Sequence, residues 1–413
     1  MRLLVVSQYF WPEDFRVNEL VAELSARGHQ ITVLTGKPNY PTGRIFEEFV
    51  AAPQRFASYA GARIVRVPML ARGNGKLRLL LNYLTFAVSA TAIGAVRFGG
   101  GSFDAIFVFE PSPVTVGIPA IALRALHGWP IAFWVLDQWP ESLAAVGVVR
   151  SKWLLNIVGS FVRFIYTRCD LILSPSKRLV PRIAEYCLAG QRIEYFPNWA
   201  ETGYASAPLG DAPEVLARPE SFNVMFAGNI GEAQDFPTIL DAAVRLRKHA
   251  HIRWLVVGDG RMAGWVRTEI KRRGLEDSVV MLGRFPADRI PSFFRHADAL
   301  LVSLKPNLVF SMMSPGKIQS YLAFGRPVLA MLDGEGAAII HEAQAGLVGA
   351  AGDAKQLAEN VLSLAALSAE QRAAMGRNGA AYAQREFARN RLVDRLETWL
   401  CDIVSPRHAN REP

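Results

Sequence analysis

Short apolar runs alternate with amphipathic stretches along this chain, and the alternation is laid down twice. In the first half, Leu3–Ser7, Gln30–Thr35, Arg63–Val67, Ala105–Phe109, Ile131–Leu136, Leu171–Ser174 and Arg192–Phe196 have the length and β-branched or aromatic content of buried strands. Between them lie helical stretches such as Arg16–Arg27, which ends at Gly28. Asn198–Ser221 then carries three prolines and no regular period, and it reads as a linker. The pattern restarts with strands at Asn223–Ala227, Arg253–Val257, Val279–Leu282 and Ala299–Ser303, separated by helices at Phe236–His249, Met262–Arg273 and Ile290–His296. A helix after Lys317, a strand from Pro327 and an alanine-rich helix from Lys355, capped by Gly352-Asp353, complete it. Apolar strands separated by helices define parallel sheets covered on both faces. The expected fold is α/β: two doubly wound, parallel-sheet, Rossmann-like domains facing a central cleft. Their expected extents are 1–200 and 201–385, with 386–413 a C-terminal helix that crosses back to the first domain. Ligands of such sheets bind beyond the carboxyl ends of the strands.

With 413 residues, half of them apolar and a fifth charged, the chain has the composition of a globular protein with two cores. Its basic excess is uneven. Residues 1–200 hold 21 Lys and Arg against 13 Asp and Glu; residues 201–413 hold 25 against 24. No nucleic-acid recognition motif or aromatic–basic interleaving accompanies the charge, so nucleic acid is not an expected partner. An anionic membrane surface or a phosphorylated lipid fits it. Leu79–Val96 is nearly continuous in apolar and small residues between Lys76, Arg78 and Arg97, and it reads as a buried or interfacial helix before a membrane span. Ser151–Arg168 is either a second membrane-facing helix or a core helix with a basic edge. Three scattered cysteines, Cys169, Cys187 and Cys401, fit a reducing compartment. The N-terminal apolar run is short for a signal peptide, which gives a cytoplasmic expectation.

Met313–Ala330 concentrates the chemistry. Pro315-Gly316 sets a turn, a helix opens near Gly316–Lys317, Gly325 ends it, and Pro327 starts a strand. A helix N-terminus favours an anion, and a lysine in its first turn is out of place without one. Either a phosphate partner or a plain surface lysine accounts for Lys317. Gly228-Asn-Ile-Gly-Glu-Ala-Gln-Asp235 follows a strand and precedes a helix; its glycines allow close backbone approach, and Asn229 and Gln234 can donate without charge. Val257-Gly-Asp-Gly260 ends the next strand in a sharp turn. In the first half, Asp137, Glu141 and Glu110 sit at carboxyl ends of strands, where they either recognise hydroxyls and move protons or cap turns. Arg16 at a helix start is a second possible anion contact, and Asn39 lies in a turn that could line an acceptor pocket. There is no Walker loop, metal-spaced His/Cys cluster, nucleophile elbow or Asp-x-Asp.

These pieces together resemble a family-four glycosyltransferase with the GT-B fold. The resemblance rests on Gly28–Val33, Asp137–Glu141, Phe196–Asn198, Val224–Gly228, Val257–Gly260, Leu282–Phe285 and Ala323–Val328. Pro38–Gly43, Gly228–Gln234 and Ser314–Ala323 are similar to bacterial transferases of the WbuB type, associated with amino-deoxyhexose transfer in O-antigen and capsule assembly. The resemblance implies a retaining transfer from a nucleotide-sugar, with UDP the expected nucleotide, to a lipid-linked saccharide acceptor at the cytoplasmic membrane surface. It implies no cofactor and no obligatory metal. Lys317, Asp137 and Glu141 are then the catalytic candidates. Lys317, Asn229 and Gln234 would contact the diphosphate, Arg284-Phe285 the base, and Glu335 the sugar hydroxyls. Gly228, Gly231, Gly258, Ser314, Gly316, Ser320 and Tyr321 would line the donor pocket, with Arg16, Asn39 and Glu110 on the acceptor side. The chain departs from the family at three points. Met312 and Ser320 stand where many members place two glutamates; Asn229 and Gln234 replace an Arg and Lys pair; Tyr9-Phe-Trp-Pro12 replaces a Gly-Gly loop. A nucleotide-sugar 2-epimerase and a non-catalytic scaffold are the rival readings.

Overall fold

In the computed structural model, which describes residues 1–73, 75–100, 103–145, 151–201 and 210–409, the apolar runs form two sheets, one in each of two units. The first sheet contains β1 (Arg2–Ser7), β2 (Gln30–Thr35), β3 (Ser58–Tyr59), β4 (Ala62–Arg66), β5 (Ala105–Glu110), β6 (Ile131–Val135), β7 (Leu171–Ser174) and β8 (Ile193–Tyr195), in the order β3-β4-β2-β1-β5-β6-β7-β8. All neighbours are parallel except the short β3, which closes one edge antiparallel to β4. Every residue of β5 and β6 is buried, as expected of central parallel strands covered on both faces. The second sheet contains β9 (Phe222–Ala227), β10 (Ile252–Val257), β11 (Val279–Gly283), β12 (Ala299–Ser303), β13 (Val328–Met331) and β14 (Gly346–Gly349), ordered β11-β10-β9-β12-β13-β14 and parallel throughout. Its strands split their side chains by the two-residue period. Val224, Phe226, Trp254 and Val256 feed one core; Met225, Ala227, Leu255 and Val257 feed the other.

The first unit comprises Met1–Pro197 and Leu392–Pro413, the second Asn198–Arg391. The division therefore falls three residues before the expected 201. The Ala200 N–H donates to the Phe387 carbonyl, which ties the start of the linker to the second unit. At the other end the chain changes unit at Leu392 instead of 386. The helix Ala369–Glu386 belongs to the second unit, where Gly376 packs directly on the Gly325 backbone. The last helix, Arg389–Ala409, is held to the first unit by Arg395 on the Tyr195 carbonyl (3.1 Å) and by Arg27 between Asp394 (2.5 Å) and Glu397 (2.6 Å). His29 also meets Glu397 at 2.5 Å.

The helix Lys76–Arg97 is long and apolar enough to cross a membrane, with a third of its apolar window buried inside the protein. Asn82, Tyr83, Phe86, Ala87, Ala90 and Gly94 face inward. Asn82 is fully buried and bonded on both sides, donating to the Leu70 carbonyl (2.6 Å) and accepting from Gln8 Nε2 (2.7 Å). The opposite face leaves Leu77, Leu80, Leu84 and Val88 exposed. A layered helix with an apolar outer face results. The amphipathic helix Lys152–Tyr166 repeats the arrangement, burying Val162, Ile165 and Tyr166 and exposing Trp153, Leu154 and Ile157.

Candidate functional site

In the second unit the strand order reverses between β9 and β12, the place where open α/β sheets bind ligands. The β9–β12 ladder pairs Val224 with Ala299 and Met225 with Leu300, and Ala227 lies past those pairs. The buried Tyr321 hydroxyl takes up the freed strand edge, accepting from the Ala227 N–H (3.0 Å) and donating to the Ala227 carbonyl (3.2 Å). Beyond this point the chain turns sharply at Gly228, with φ of 132°. The following residues fold back on themselves. Gln234 Oε1 accepts from the Gly231 N–H (3.0 Å), the Gln234 carbonyl accepts from Ser303 Oγ (2.7 Å), and the Ala233 carbonyl accepts from the Lys305 N–H (2.8 Å). The Gly228–Gln234 loop is thus pinned to the end of β12.

Gly228 and Gly258 have to be glycines for steric reasons. A Cβ on Gly258 (φ of 141°) would lie 1.9 Å from the Gly228 carbonyl oxygen, and one on Gly228 would lie 2.7 Å from Lys317 Cε. The two turns after β9 and β10 therefore stack backbone on backbone, and Lys317 runs beneath the first. Lys317 stands in the first turn of the helix Gly316–Phe324, which ends at Gly325 in the left-handed conformation. Its Nζ lies 3.5 Å from the centre of the Phe226 ring. Although the residue as a whole is only partly covered, that nitrogen is inaccessible and has no hydrogen-bond partner in the described structure. Burial pushes the Lys317 ammonium down to about 7 from the usual 10.5.

A groove of about 830 Å³ opens beside these turns, lined by Gly228, Asn229, Gly258, Asp259, Arg284 and Phe285 among others. Phe285 is held by the Phe293 ring (centroids 4.5 Å apart) and by the Arg289 guanidinium above it, itself paired with Glu214 at 2.9 Å. Asn229 and Arg284 are exposed to the groove. Among the expected donor residues, the structure brings Gly228, Asn229, Gly258, Arg284 and Phe285 together here. Gly231 and Gln234 shape the loop behind them. Ser314 and Gly316 flank the Lys317 turn. Ser320, Tyr321 and Glu335 are buried. Tyr321 is a correction: its hydroxyl is spent on Ala227, so it supports the strand end instead of presenting a group to the groove. Asp259 and Pro286 also line the groove, and the turn-ending Gly258-Asp-Gly260 pattern was the sequence signal for the first of them.

The first unit presents a cluster of carboxyl groups at the carboxyl ends of β5 and β6. Glu110 is fully buried, accepting weakly from the Leu136 and Asp137 N–H groups at 3.4 and 3.3 Å, while its Oε1 has no partner. Burial, reinforced by the Asp137 charge, holds the Glu110 carboxyl well above its usual range. Asp137 accepts from Trp139 Nε1 (2.9 Å). Glu141 opens the helix Glu141–Ala145 and accepts from the Tyr186 hydroxyl (3.2 Å), which burial and this carboxylate push up to about 12. Glu110 and Asp137 are therefore adjacent. Two expected acceptor residues have partners within the first unit. Arg16 pairs with Glu19 on its own helix (3.0 Å), and Asn39 is fully buried, donating to the Lys37 carbonyl and accepting from the Arg72 N–H. Sequence reasoning overlooked Glu13. Its buried carboxylate accepts from the N–H groups of Asn39 and Tyr40 (2.7 Å each) and Phe10 (3.2 Å), and burial raises it to about 7. It anchors the loops after β1 and β2. Among the described residues, no group of three or more His, Cys, Asp or Glu side chains is placed to hold a metal ion.

Comparison with known proteins gives this geometry its class. Residues 15–199 match the family described as glycosyl transferase 4-like domain, and residues 221–366 match glycosyl transferases group 1. The chain belongs to the glycosyltransferases of the GT-B fold. It is 25% identical over 344 residues to the colanic acid biosynthesis glycosyl transferase WcaI of Escherichia coli, covering 79% of this chain and 82% of that one. Among solved structures it is similar to a glycosyltransferase from Rickettsia africae (TM-score 0.71, 12% identity, 98% of each chain). It is also similar to Anabaena HepE in complex with UDP and glucose (TM-score 0.65, 14% identity, 97% of this chain and 99% of that one).

Proposed function

We propose that this glycosyltransferase moves a hexose, N-acetylated amino or deoxy, from a UDP-sugar to a lipid-linked saccharide during surface polysaccharide assembly, with retention of configuration. The observation that carries the proposal is the glycine turn stacked over the unpartnered Lys317 nitrogen, beside a groove that exposes Arg284 and Phe285. The leaving group of such a transfer is a nucleoside diphosphate. Its charge is matched by Lys317, by the amide of Asn229 and by the backbone N–H groups of the turn and of the Gly316–Phe324 helix start. Arg284 and Phe285 take the base, and Glu335 serves the sugar hydroxyls. On the acceptor side, Asp137 is the base that accepts the proton of the acceptor hydroxyl, and neighbouring Glu110, its carboxyl held above the usual range by burial, helps to hold that hydroxyl. No metal has a part in this scheme.

The polysaccharide setting is supported by WcaI, named for colanic acid biosynthesis. UDP is supported by HepE, solved with that nucleotide. The short motifs shared with WbuB-type transferases support an amino-deoxyhexose donor. A cytoplasmic enzyme peripheral on the inner membrane face is supported by the basic first half and by two helices with exposed apolar residues. The test is thermal stability of the purified chain with UDP, GDP, ADP and TDP, followed by transfer from UDP-sugars to lipid-linked saccharides. Ligand at 100 times its dissociation constant adds about 2.7 kcal/mol to the folded state. We expect a shift with UDP that Lys317→Met loses. No shift with any nucleotide favours the scaffold reading, and product formed from UDP-sugar alone favours the epimerase.

A further inference from the structure

The three turns that form the groove of the second unit leave its sheet side by side. β11, β10 and β9 are neighbours in that order. Val257 pairs with Ala227 on one side and with Gly283 on the other, so the three strands end level. Backbone bonds knit the turns together. The Gly228 N–H donates to the Val257 carbonyl (2.8 Å), the Gly258 N–H to the Gly283 carbonyl (2.7 Å), and the Ile230 N–H to the Asp259 carbonyl (2.9 Å). The turn after β9 carries Gly228 and Asn229, the turn after β11 carries Arg284 and Phe285, and the turn between them carries Asp259. Asp259 is exposed, and it is the one acidic side chain among the described residues that line the groove. One of its carboxylate oxygens accepts from the Gly260 N–H (2.8 Å). Among the described residues it forms no ion pair, with Arg284 or with any other cation.

A carboxylate is out of place in a groove that takes a diphosphate, because on charge alone it repels the ligand. It suits a ligand that offers hydroxyl groups, since an ionised carboxylate only accepts hydrogen bonds and has two oxygens to do so. Neighbouring strands lie about 4.8 Å apart, so the two outer turns are separated by about 10 Å. A nucleoside diphosphate covers that distance between its base and its phosphates, and the part that lies between them is the pentose. We propose that Asp259 holds the ribose 2′- and 3′-hydroxyls, and that the site thereby selects ribonucleotide sugars over deoxyribonucleotide ones. The inference rests on the donor reading above, with the diphosphate over Gly228 and the base at Arg284 and Phe285, and it adds the class of pentose. The helix Gly316–Phe324, which brings Lys317, carries no acidic residue and leaves the diol to the middle turn. Because the Asp259 carbonyl is bonded to Ile230 of the first turn, its carboxylate projects from a fixed backbone and not from a free loop.

The experiment is calorimetric titration of the full chain with UDP, 2′-deoxy-UDP and thymidine diphosphate. Wild type is compared with Asp259→Ala and Arg284→Ala, both at exposed positions, and melting temperatures confirm that each variant is folded. We expect wild type to bind UDP about tenfold or more tightly than 2′-deoxy-UDP, and thymidine diphosphate no better than the latter. In Asp259→Ala the ratio of UDP to 2′-deoxy-UDP affinity should fall to about one. The ratio is the decisive readout, because removing the Asp259 charge acts on both diphosphates alike and cancels from it. Arg284→Ala should weaken both ligands and keep the ratio. A ratio near one in wild type, or a ratio unchanged in Asp259→Ala, overturns the proposal while UDP binding itself stands. Equal collapse of the ratio in Arg284→Ala overturns it too, since Asp259 would then have no part of its own in reading the pentose. A wild-type chain that binds none of the three nucleotides sinks the donor reading, and this inference with it.

Discussion

Lys317→Met should make this protein more stable and less able to bind its donor. The lysine nitrogen is buried without a hydrogen bond, and burial alone lowers its proton affinity from 10.5 to about 7. In the unfolded chain the same group titrates near its ordinary value. Between those two values the unfolded state binds more protons than the native one, so stability rises with pH from about 7 to about 10.5. The penalty is complete below pH 7 and gone above the unfolded value. At about 1.4 kcal/mol per unit it amounts to roughly 5 kcal/mol, as an upper figure. Methionine fills a similar volume over the Phe226 ring and carries no proton. Near neutral pH the variant should therefore melt on the order of 10 °C higher than wild type, a gain that shrinks as the buffer becomes alkaline.

Binding moves the other way. A diphosphate beside Lys317 favours its ammonium form, so binding above pH 7 takes up a proton. From pH 7 to 8.5 the wild-type affinity for UDP should fall roughly 15-fold, because the free protein has by then lost most of that charge. The terminal phosphate, with a pKa near 6, adds little over this range. Calorimetry in two buffers of different ionisation enthalpy counts the proton directly. Lys317→Met should bind UDP far more weakly and show a flat profile over the same range. A variant that melts lower than wild type, or that binds UDP as well, would refute the reasoning.

Three further substitutions follow from individual contacts. Gly258→Ala drives a methyl group onto the Gly228 carbonyl and should destabilise the second unit beyond soluble expression; a folded, UDP-binding variant would show that the turns do not stack as described. Tyr321→Phe leaves the Ala227 N–H and carbonyl without their hydroxyl, and denaturant unfolding should register a loss of about 1–3 kcal/mol. No loss would mean that the strand edge finds another partner. Glu110→Gln keeps a neutral group where burial already keeps the carboxyl protonated. In wild type the native state holds this proton above pH 4.5 while the unfolded chain releases it, so stability declines as pH rises. The variant's melting temperature should decline less between pH 5 and 9, and parallel curves would exclude the proton.

The fold was legible because parallel strands buried on both faces must be continuous apolar runs, and the helices between them must be amphipathic. What escaped was short or lacked a period. β14 is four residues with a glycine at each end, and β3 has two residues. The helix Gly117–His127 was missed because it carries Gly117 and Pro119 in its first turn and is apolar around most of its surface. Caps were readable: Asp353 accepts from the Gln356 N–H, and Gly325 adopts the left-handed conformation. In the site, the glycine turns announced themselves through chain chemistry. Tyr321 did not show its role, since Ile318 to Leu322 are all buried and no period marks which hydroxyl faces a ligand. Glu13 could not be found at all from the sequence. Its function is to collect three N–H groups, two of them from a loop some 26 residues away, and only the folded chain brings them together.

The same contrast bears on the replaced Arg and Lys pair. Two exposed cations on the Gly228–Gln234 loop would attract any phosphate at long range and would be screened by salt. Here that loop offers neutral amides, and the cation lies under it, inaccessible and held close to neutrality by burial. A buried amine of this kind gives little steering and costs folding stability at neutral pH. Its charge becomes worthwhile only when a diphosphate occupies the turn, in surroundings of low dielectric where one ion contact is strong. Discrimination would then come from occupancy of the turn, because an anion that cannot reach the Gly228 backbone does not meet the Lys317 charge. Free phosphate or sulfate should accordingly compete poorly with UDP at moderate ionic strength, and rising salt should weaken UDP less than it would weaken binding to a pair of surface cations. A steep salt dependence of UDP affinity, equal in wild type and in Lys317→Met, would place the binding charge elsewhere in the groove, with Arg284 the first residue to examine.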